Sequence, residues 1–464
     1  MGADILSRKA LIYSSTTFGS RIISTAFNFY YVKIFLDKYN MNQTSFQASQ
    51  FIFAFWNAVN DPWFGYFQDT AKDSWVKVRR KCILYGAFPW VLTFLLPWFP
   101  WADYTDGSNG FLCFLQGLSS LCLFDTFFTF CLLAHCALMT EYGETDEERL
   151  QMVKYNGVAG ILGSSCIFIT DHYSAGLTEY GTFQFICLLM AVVALAAFYI
   201  TGKYAVTQYE SAEVTLPSGS YWSLTKDIFK NKNFRMFVVM NFLQELHITY
   251  VISFAMIFTE QLIPMEELSS GARSILLGAL MMIAQVAVVV ASPIVAKVGL
   301  YRVEMATFYL KIALGLIMYF SGAGRTIWYM LFLIVDYTLS DGAFSFFSIN
   351  LSDIADEDMK INGRKKPIAS MVYGSNAAVV KPALSLAPMV VAAMLSRSGY
   401  DAVKAGTATP EQTAYLQQII FTFSCFAPVI IGSVQIFAWR QYRLRGENPN
   451  RNIDVKPSLA SSSS

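Results

Sequence analysis

Five carboxylates lie inside apolar segments of this 464-residue chain, where a charge is costly. They are Asp61, Asp125, Glu245, Asp336 and Asp341, and two cations, Arg21 and Lys381, lie at similar depth in such segments. An ionised side chain in the hydrocarbon of a bilayer costs about 2.5–3.5 kcal/mol or more, so all of them must face protein or a water-filled cavity. Charges at this depth are typical of ion paths, proton relays and solute-binding sites.

The second apolar segment presents a polar stripe. Its members are Asn57, Asp61, Gly65 and Gln68, whose spacing places them on one face of a helix. We predict that Asp61 faces the interior of a helical bundle, within reach of Arg21 or Asp125. With Asn57 and Asp125 it forms the predicted site for a coupling ion.

Polar side chains in other apolar segments indicate a solute site. The candidates are Arg21, Asn28, Glu245, Asp336, Asp341, Asn376 and Lys381. Two further residues are interpreted differently. His247 lies off the polar face of its segment and is predicted to be a core or interhelix histidine. Lys311 lies near one end of its segment, which favours a side chain that extends to the interface.

Composition places the chain in a membrane. It is 55% hydrophobic and only 14% charged, whereas soluble domains carry about 25% charge. The net charge of +1 does not indicate a nucleic-acid partner. The eight Cys fall in apolar segments without the paired spacing of metal ligands, so we interpret them as core residues. We expect no metal, no cofactor and no enzymatic activity, because no nucleophile–base pattern appears.

Twelve windows are long and apolar enough to cross a bilayer, which needs roughly 20 residues per helix. They are 10–36, 46–68, 82–100, 110–138, 151–171, 180–201, 234–260, 272–296, 302–322, 326–351, 367–395 and 415–440. A polar interruption divides them into two sets of six. The predicted domains are an N-terminal six-helix bundle (1–201), a cytoplasmic linker (202–233), a C-terminal six-helix bundle (234–440) and a disordered cytoplasmic tail (441–464).

Basic residues set the orientation. With both termini in the cytoplasm, 25 of the 34 Lys and Arg lie in cytoplasmic segments and five lie on the other side. This bias satisfies the positive-inside rule. Asn42 then begins a glycosylation sequon in the first external loop.

An acidic cluster followed by Arg occurs twice, in "MTEYGETDEERLQM" (139–152) and "LSDIADEDMKINGRKKP" (351–367). A shift of 215 residues places Glu141 on Asp356 and Arg149 on Arg364. Parallel repeats of this kind are typical of the two halves of major facilitator transporters. We predict a cytoplasmic gate formed by Asp69, Arg79, Arg80, Glu141, Arg149, Asp356 and Arg364, with Asp69 in contact with Arg79 or Arg80.

Three stretches carry a family resemblance: "WNAVNDPWFGYFQD", "CALMTEYGETDEER" and "DIADEDMKINGRKKPIASMVYGSNAAVVKP". They resemble segments of the glycoside–pentoside–hexuronide:cation symporters. A closer likeness, over nearly the whole chain, is to the eukaryotic transmembrane protein 180 family. The resemblance implies that Asp61 and Lys381 match functional positions. It also implies that Asn57 replaces the first cation-site carboxylate and that Arg21 replaces a sugar-binding Asp.

The expected protein is therefore an all-α membrane protein with twelve transmembrane helices in two six-helix bundles, the major facilitator fold. We expect a monomeric secondary transporter of a small polar solute, coupled to a proton rather than sodium, with a sugar or glycoside implied by the resemblance. Two alternatives stay open: transport of lysolipids, and a receptor or scaffold that kept the fold without transporting. The plasma membrane and endomembranes are both open.

Overall fold

Long α-helices account for most of the structure, which is a computed structural model that describes residues 2–71, 75–104, 109–174, 177–210, 219–264, 266, 270–322, 324 and 326–445. The first six are α1 (Gly2–Lys33), α2 (Gln43–Thr70), α3 (Arg79–Trp98), α4 (Gly110–Tyr142), α5 (Asp146–Tyr173) and α6 (Tyr180–Tyr204). The second six are α7 (Lys232–Leu262), α8 (Ser270–Val298), α9 (Leu300–Ser321), α10 (Thr326–Ile361), α11 (Ala369–Arg397) and α12 (Pro410–Arg440). Each predicted window overlaps one of these helices.

Local sequence explains where several helices begin. The Asn42 side chain caps α2 by accepting a hydrogen bond from the next turn, and Thr145 does the same for α5. At the start of α12, Thr409 and Gln412 form a reciprocal capping box. These caps satisfy backbone N–H groups that have no partner within the helix.

One interruption of a helix matters for the site. The first part of α11 ends at Val380, and the second part begins at Pro382. Proline has no backbone N–H and disturbs the preceding turn. Lys381 therefore lies at the break in α11, near the middle of the helix.

Length and hydropathy identify nine of the helices in the described chain as long and apolar enough to cross a membrane. The other three are α1, α2 and α8. In α1 and α2, Arg21, Asp61 and several Ser, Thr and Asn lower the hydropathy. Within α8 an apolar helical stretch covers Met282–Val298. The protein is a multi-pass integral membrane protein, as predicted.

Helices α1–α6 pack mainly on one another, and so do α7–α12. A short amphipathic helix, Tyr221–Lys230, lies in the predicted linker. Contacts between the two sets run from α2 and α4 to α11, from α4 to α10, and from α5 to α8. The exact domain limits stay a prediction, and residues 211–218 of the linker and 446–464 of the tail lie outside the described residues.

Candidate functional site

A cavity of about 810 Å³ lies between the two sets of helices. Its wall includes seven of the predicted site residues: Arg21, Asn28, Asp61, Asp125, Asp341, Asn376 and Lys381. Aromatic rings form much of the remaining surface: Tyr13, Phe27, Tyr31, Phe53, Phe124, Phe128, Phe344, Phe347 and Tyr373. A largely apolar wall with a few polar groups, at this size, is typical of a site for a small molecule.

Lys381 is the direct partner of the predicted ion site. Its Nζ lies 2.5 Å from Asp61 Oδ2 and 2.5 Å from Asn57 Oδ1. Asp61 is buried, with 4% of its surface exposed. The prediction placed Asp61 within reach of Arg21 or Asp125. Asp125 lies close to it, but its cationic partner is Lys381 and not Arg21. The reason is the close packing of α11 on α2, where a Cβ on Gly374 would come within 2.8 Å of the Asp61 carbonyl oxygen.

Asn60 connects this pair to α4, because its side-chain amide donates a hydrogen bond to the Asp125 carboxylate. Asp125 also lies close enough to Asp61 and Lys381 for electrostatic interaction. The sequence prediction left out Asn60, although its position next to Asp61 was a usable signal. Three helices thus bring one cation, two carboxylates and two amides together at the edge of the cavity.

Arg21 and Asp341 face the cavity from opposite sets of helices. Arg21 is exposed to the cavity, and Asp341 Oδ2 accepts a hydrogen bond of 3.0 Å from Gln285. The two charges interact electrostatically without forming an ion pair. Glu245 is half-buried and lies near Asp341, but it is not among the residues that line the cavity, so its predicted contact with solute is not seen.

The predicted amide on α11, Asn376, bonds to an amide on α7 that the prediction left out. Asn241 donates from Nδ2 to Oδ1 of Asn376 over 3.0 Å, and both residues line the cavity. Their bond fixes the inner surface of α7 against the first part of α11. Asn28 lies on the other side of the cavity and is exposed to it.

A set of buried charges lies about two turns along α2 from Asp61, outside the cavity wall; we name it the gate cluster: Asp69, Arg79, Glu141 and Lys366. Arg79 donates to Glu141 at 2.8 Å and also pairs with Asp69. Lys366 Nζ lies 3.1 Å from Glu141, and the Met371 N–H donates to Asp69 over 2.6 Å. The cluster therefore joins α2, α3 and α4 to the start of α11. We call this side of the protein the gate face.

A second bridge lies on the gate face. Arg149 donates to Asp353 at 2.9 Å and to Asp356 at 2.7 Å, which connects α5 to α10. The two copies of the sequence repeat thus meet in a direct ion pair. Beside it, Thr140 donates to Ser352 over 3.0 Å.

Two predicted gate residues have other partners. Arg80 pairs with Glu210 at 2.7 Å instead of Asp69, because its guanidinium extends toward the turn that follows α6. Arg364 pairs with Asp358 at 2.9 Å and with Asp227 of the linker helix at 3.3 Å. Neither pair joins α1–α6 to α7–α12, so both lie on the gate face without closing it.

Comparison with known proteins decides the family. The sequence profile of the MFS/sugar transport protein family matches residues 12–446. The chain belongs to this family. Transmembrane protein 180 from Gallus gallus is 23% identical to this chain, and the match covers 94% of this chain and 93% of the relative. The same protein from Mus musculus is 24% identical, with 94% of this chain and 92% of the relative covered. The resemblance to that family is confirmed.

Solved structures of this superfamily share the fold. The transporter FucP in its outward conformation has a TM-score of 0.65 at 15% identity, covering 94% of this chain and 98% of FucP. The proton:xylose symporter XylE, bound to 6-bromo-6-deoxy-D-glucose, has a TM-score of 0.62 at 12% identity, covering 95% and 96%. These likenesses show the major facilitator fold, and the predicted fold class is confirmed.

Within this fold, Asp336 lies away from the cavity, in a second buried set that we name the inner cluster: Gln244, His247, Lys311 and Asp336. His247 Nε2 lies 2.8 Å from Asp336 Oδ2, and Lys311 donates to Gln244 over 2.7 Å. The predicted role of Asp336 in solute binding is therefore not supported by its position. The predicted extension of Lys311 to the interface is wrong, because it is fully buried and turned toward the partners that α7 supplies.

The remaining predictions concern the surface and metals. Asn42 is exposed at the start of α2, at the opposite end of that helix from Asp69. No group of three His, Cys, Asp or Glu side chains that could hold a metal ion occurs among the described residues. Glycosylation of Asn42 stays a prediction.

Proposed function

We propose that this protein is a secondary active transporter that moves a small polar solute by alternating access between its two helical bundles. The observation that carries the proposal is the gate face, where buried ion pairs cross from one bundle to the other beneath a cavity lined by charges. Contacts that cross between bundles can break and reform as the bundles rock, which is how transporters of this fold expose one site to each side in turn.

A proton is the favoured coupling ion, because the space for sodium is already occupied by a cation of the protein. The Lys381 ammonium lies 2.5 Å from both Asp61 and Asn57, the two side chains that match the symporters' cation ligands. Protonation of Asp61 would remove the charge that holds Lys381 and weaken the link between α2 and α11. Asp125, close by, can share or receive the proton.

A sugar or glycoside is the solute class that the family suggests. The matching profile is that of MFS/sugar transport proteins, and XylE is a proton:xylose symporter. The basic residues further support a cytoplasmic gate face and cytoplasmic termini. The solute would then bind from the external side while the gate is closed.

Uptake into proteoliposomes tests the proposal. A panel of labelled sugars and other polar solutes is screened, and transport is then measured with and without an inward proton gradient. Asp61→Asn keeps the shape of the side chain but cannot bind and release the proton. We expect residual transport in this variant to lose its dependence on the gradient.

Asp37→Asn is the matched control, since Asp37 is exposed and lies outside the cavity. It should behave as the wild type does. Transport by Asp61→Asn that still responds fully to the gradient would show that coupling lies elsewhere. The absence of transport for every solute would support the receptor or scaffold alternative.

A further inference from the structure

Arg21 is a cation in the cavity without a carboxylate partner among the described residues. In the described part of the chain, no carboxylate oxygen lies within 4.0 Å of its nitrogens, and no hydrogen bond to it is found. It is held by its packing on α5, where a Cβ on Gly163 would come within 2.7 Å of the Arg21 Cβ. Gly160 leaves space beside the guanidinium, because a Cβ there would lie 4.0 Å from Arg21 Nε. The charged end of Arg21 is therefore accessible from the cavity.

Negative charge lies across the cavity, on the other bundle. In the described structure the Asp341 carboxylate accepts one hydrogen bond, from the neutral amide of Gln285, and has no cation within 4.0 Å. Glu245 lies near Asp341 and adds a second carboxylate. The Gln285 amide lies between the two charges. A Cβ placed on Gly160 would be 3.9 Å from Gln285 Oε1 and 4.0 Å from Arg21 Nε, so both side chains approach the same point on α5.

Lys381 is bound by Asp61, and Asp125 lies in the same cluster, bonded to Asn60 and near Lys381. Arg21 and Asp341 line the cavity on opposite bundles, and neither has an oppositely charged side chain within 4.0 Å in the described structure. A neutral solute would leave these two charges with only their longer-range attraction for each other. Desolvating a charge without a close partner is unfavourable.

We propose that the solute is a zwitterion of the amino-acid type. Its anionic group binds the Arg21 guanidinium, and its ammonium group binds Asp341, with Glu245 adding negative charge behind. The inference rests on the proposed transport function and narrows its solute class away from neutral sugars. Because Arg21 belongs to one bundle and Asp341 to the other, a zwitterion would connect the two bundles through two ion pairs, which a solute with a single charge cannot form.

Ligand-dependent thermal stability of the purified protein in lipid nanodiscs tests this proposal. The probes are the standard amino acids and γ-aminobutyrate, their decarboxylated amines, their N-acetylated acids and a set of neutral mono- and disaccharides. We expect at least one zwitterion to stabilise the protein. The decarboxylated amine and the N-acetylated acid that correspond to this zwitterion should each bind at least about tenfold more weakly. The reason is that each of them lacks one of the two charged groups that form hydrogen bonds.

Variants assign the two ends of the solute. Arg21→Gln should lose the preference for the zwitterion over its amine, and Asp341→Asn should lose the preference over its N-acetylated acid. Arg302→Gln is the control, because Arg302 is an exposed cation at the start of α9 and outside the cavity. A variant that loses only its own preference has lost a contact with the ligand. A variant that is generally destabilised would lose both preferences.

Two results would overturn the proposal. In the first, none of the zwitterions in the panel stabilises the protein. In the second, a neutral sugar stabilises the wild type and Arg21→Gln equally. Counterflow in proteoliposomes separates this outcome from failure of the proposed function. Transport of a sugar without zwitterion binding would refute the zwitterion and keep the transporter. Zwitterion binding without counterflow would keep the solute class and refute transport.

Discussion

The gate cluster and the inner cluster are both buried sets of charges, but they connect different parts of the protein. The gate cluster joins α2, α3 and α4 to α11, and so crosses between the bundles. The inner cluster joins α7 to α9 and α10, within one bundle. In both, a cation lies between polar partners from neighbouring helices.

This difference indicates two uses for buried charge. A pair between bundles must be broken whenever the bundles separate, so its strength sets the balance between closed and open gates. A pair within a bundle need never break during transport. Buried pairs contribute little net stability compared with apolar packing, but the loss of one partner is costly. The inner cluster should therefore affect folding, and the gate cluster should affect conformation.

The largest expected effect is on stability, in the inner cluster. Lys311→Ala removes the cation near Asp336 and one of the two donors to the Gln244 carbonyl, the other being Gln435. We expect a loss of about 3–5 kcal/mol in the free energy of unfolding, as for other broken buried pairs. Chemical denaturation in detergent measures it.

The double variant Lys311→Met with Asp336→Asn is the control, since it removes both charges and keeps a hydrogen-bonding partner for His247. It should recover most of the lost stability. A Lys311→Ala protein as stable as the wild type would show that the inner cluster does not stabilise the bundle. The proposed difference between the two clusters, stability for one and conformation for the other, would then be lost.

Sequence predicted the fold and the location of charge better than it predicted partners. The twelve windows and the cavity positions of Arg21, Asp61 and Lys381 follow from periodicity and from the cost of charge in hydrocarbon. The contact between Lys381 and Asp61 does not, because it depends on how closely α11 packs on α2. Lys311 was misplaced for a different reason: it lies midway along α9 rather than near an end, too deep for its side chain to reach the interface.

The smallest expected effect concerns pH at the gate. Burial lowers the pKa of Lys366, which lies in the loop before α11, although Glu141 opposes the shift. With the gate open, the ammonium would be hydrated and would titrate near its usual pKa of about 10.4. Between the lowered pKa and that value the open state holds more protons than the closed state. The closed gate should therefore become more favoured as pH rises through this range.

Fluorescence from a dye pair across the gate face can follow this change. Lys366→Met should abolish the pH dependence, and Lys365→Met should retain it, because Lys365 is exposed. A closed population that falls as pH rises would reverse the predicted sign and remove Lys366 as its source.

Distances across the two faces of the protein test the central claim most directly, because they need no identified solute. Spin labels are placed on the gate face at Glu147→Cys and Ile361→Cys, and on the opposite side at Phe111→Cys and Glu411→Cys. All four positions are exposed, and the background lacks the eight native cysteines. Each pair is measured in the wild type and in Arg149→Gln, which removes the cation that joins α5 to α10 on the gate face.

Alternating access predicts a short distance across the closed gate face in the wild type. In Arg149→Gln, Asp353 and Asp356 on α10 lose the cation that holds them to α5, so the gate distance should lengthen while the opposite distance shortens. Distances that stay the same on both faces, in a variant that remains folded, would show one rigid body. That result would contradict transport and favour the receptor or scaffold.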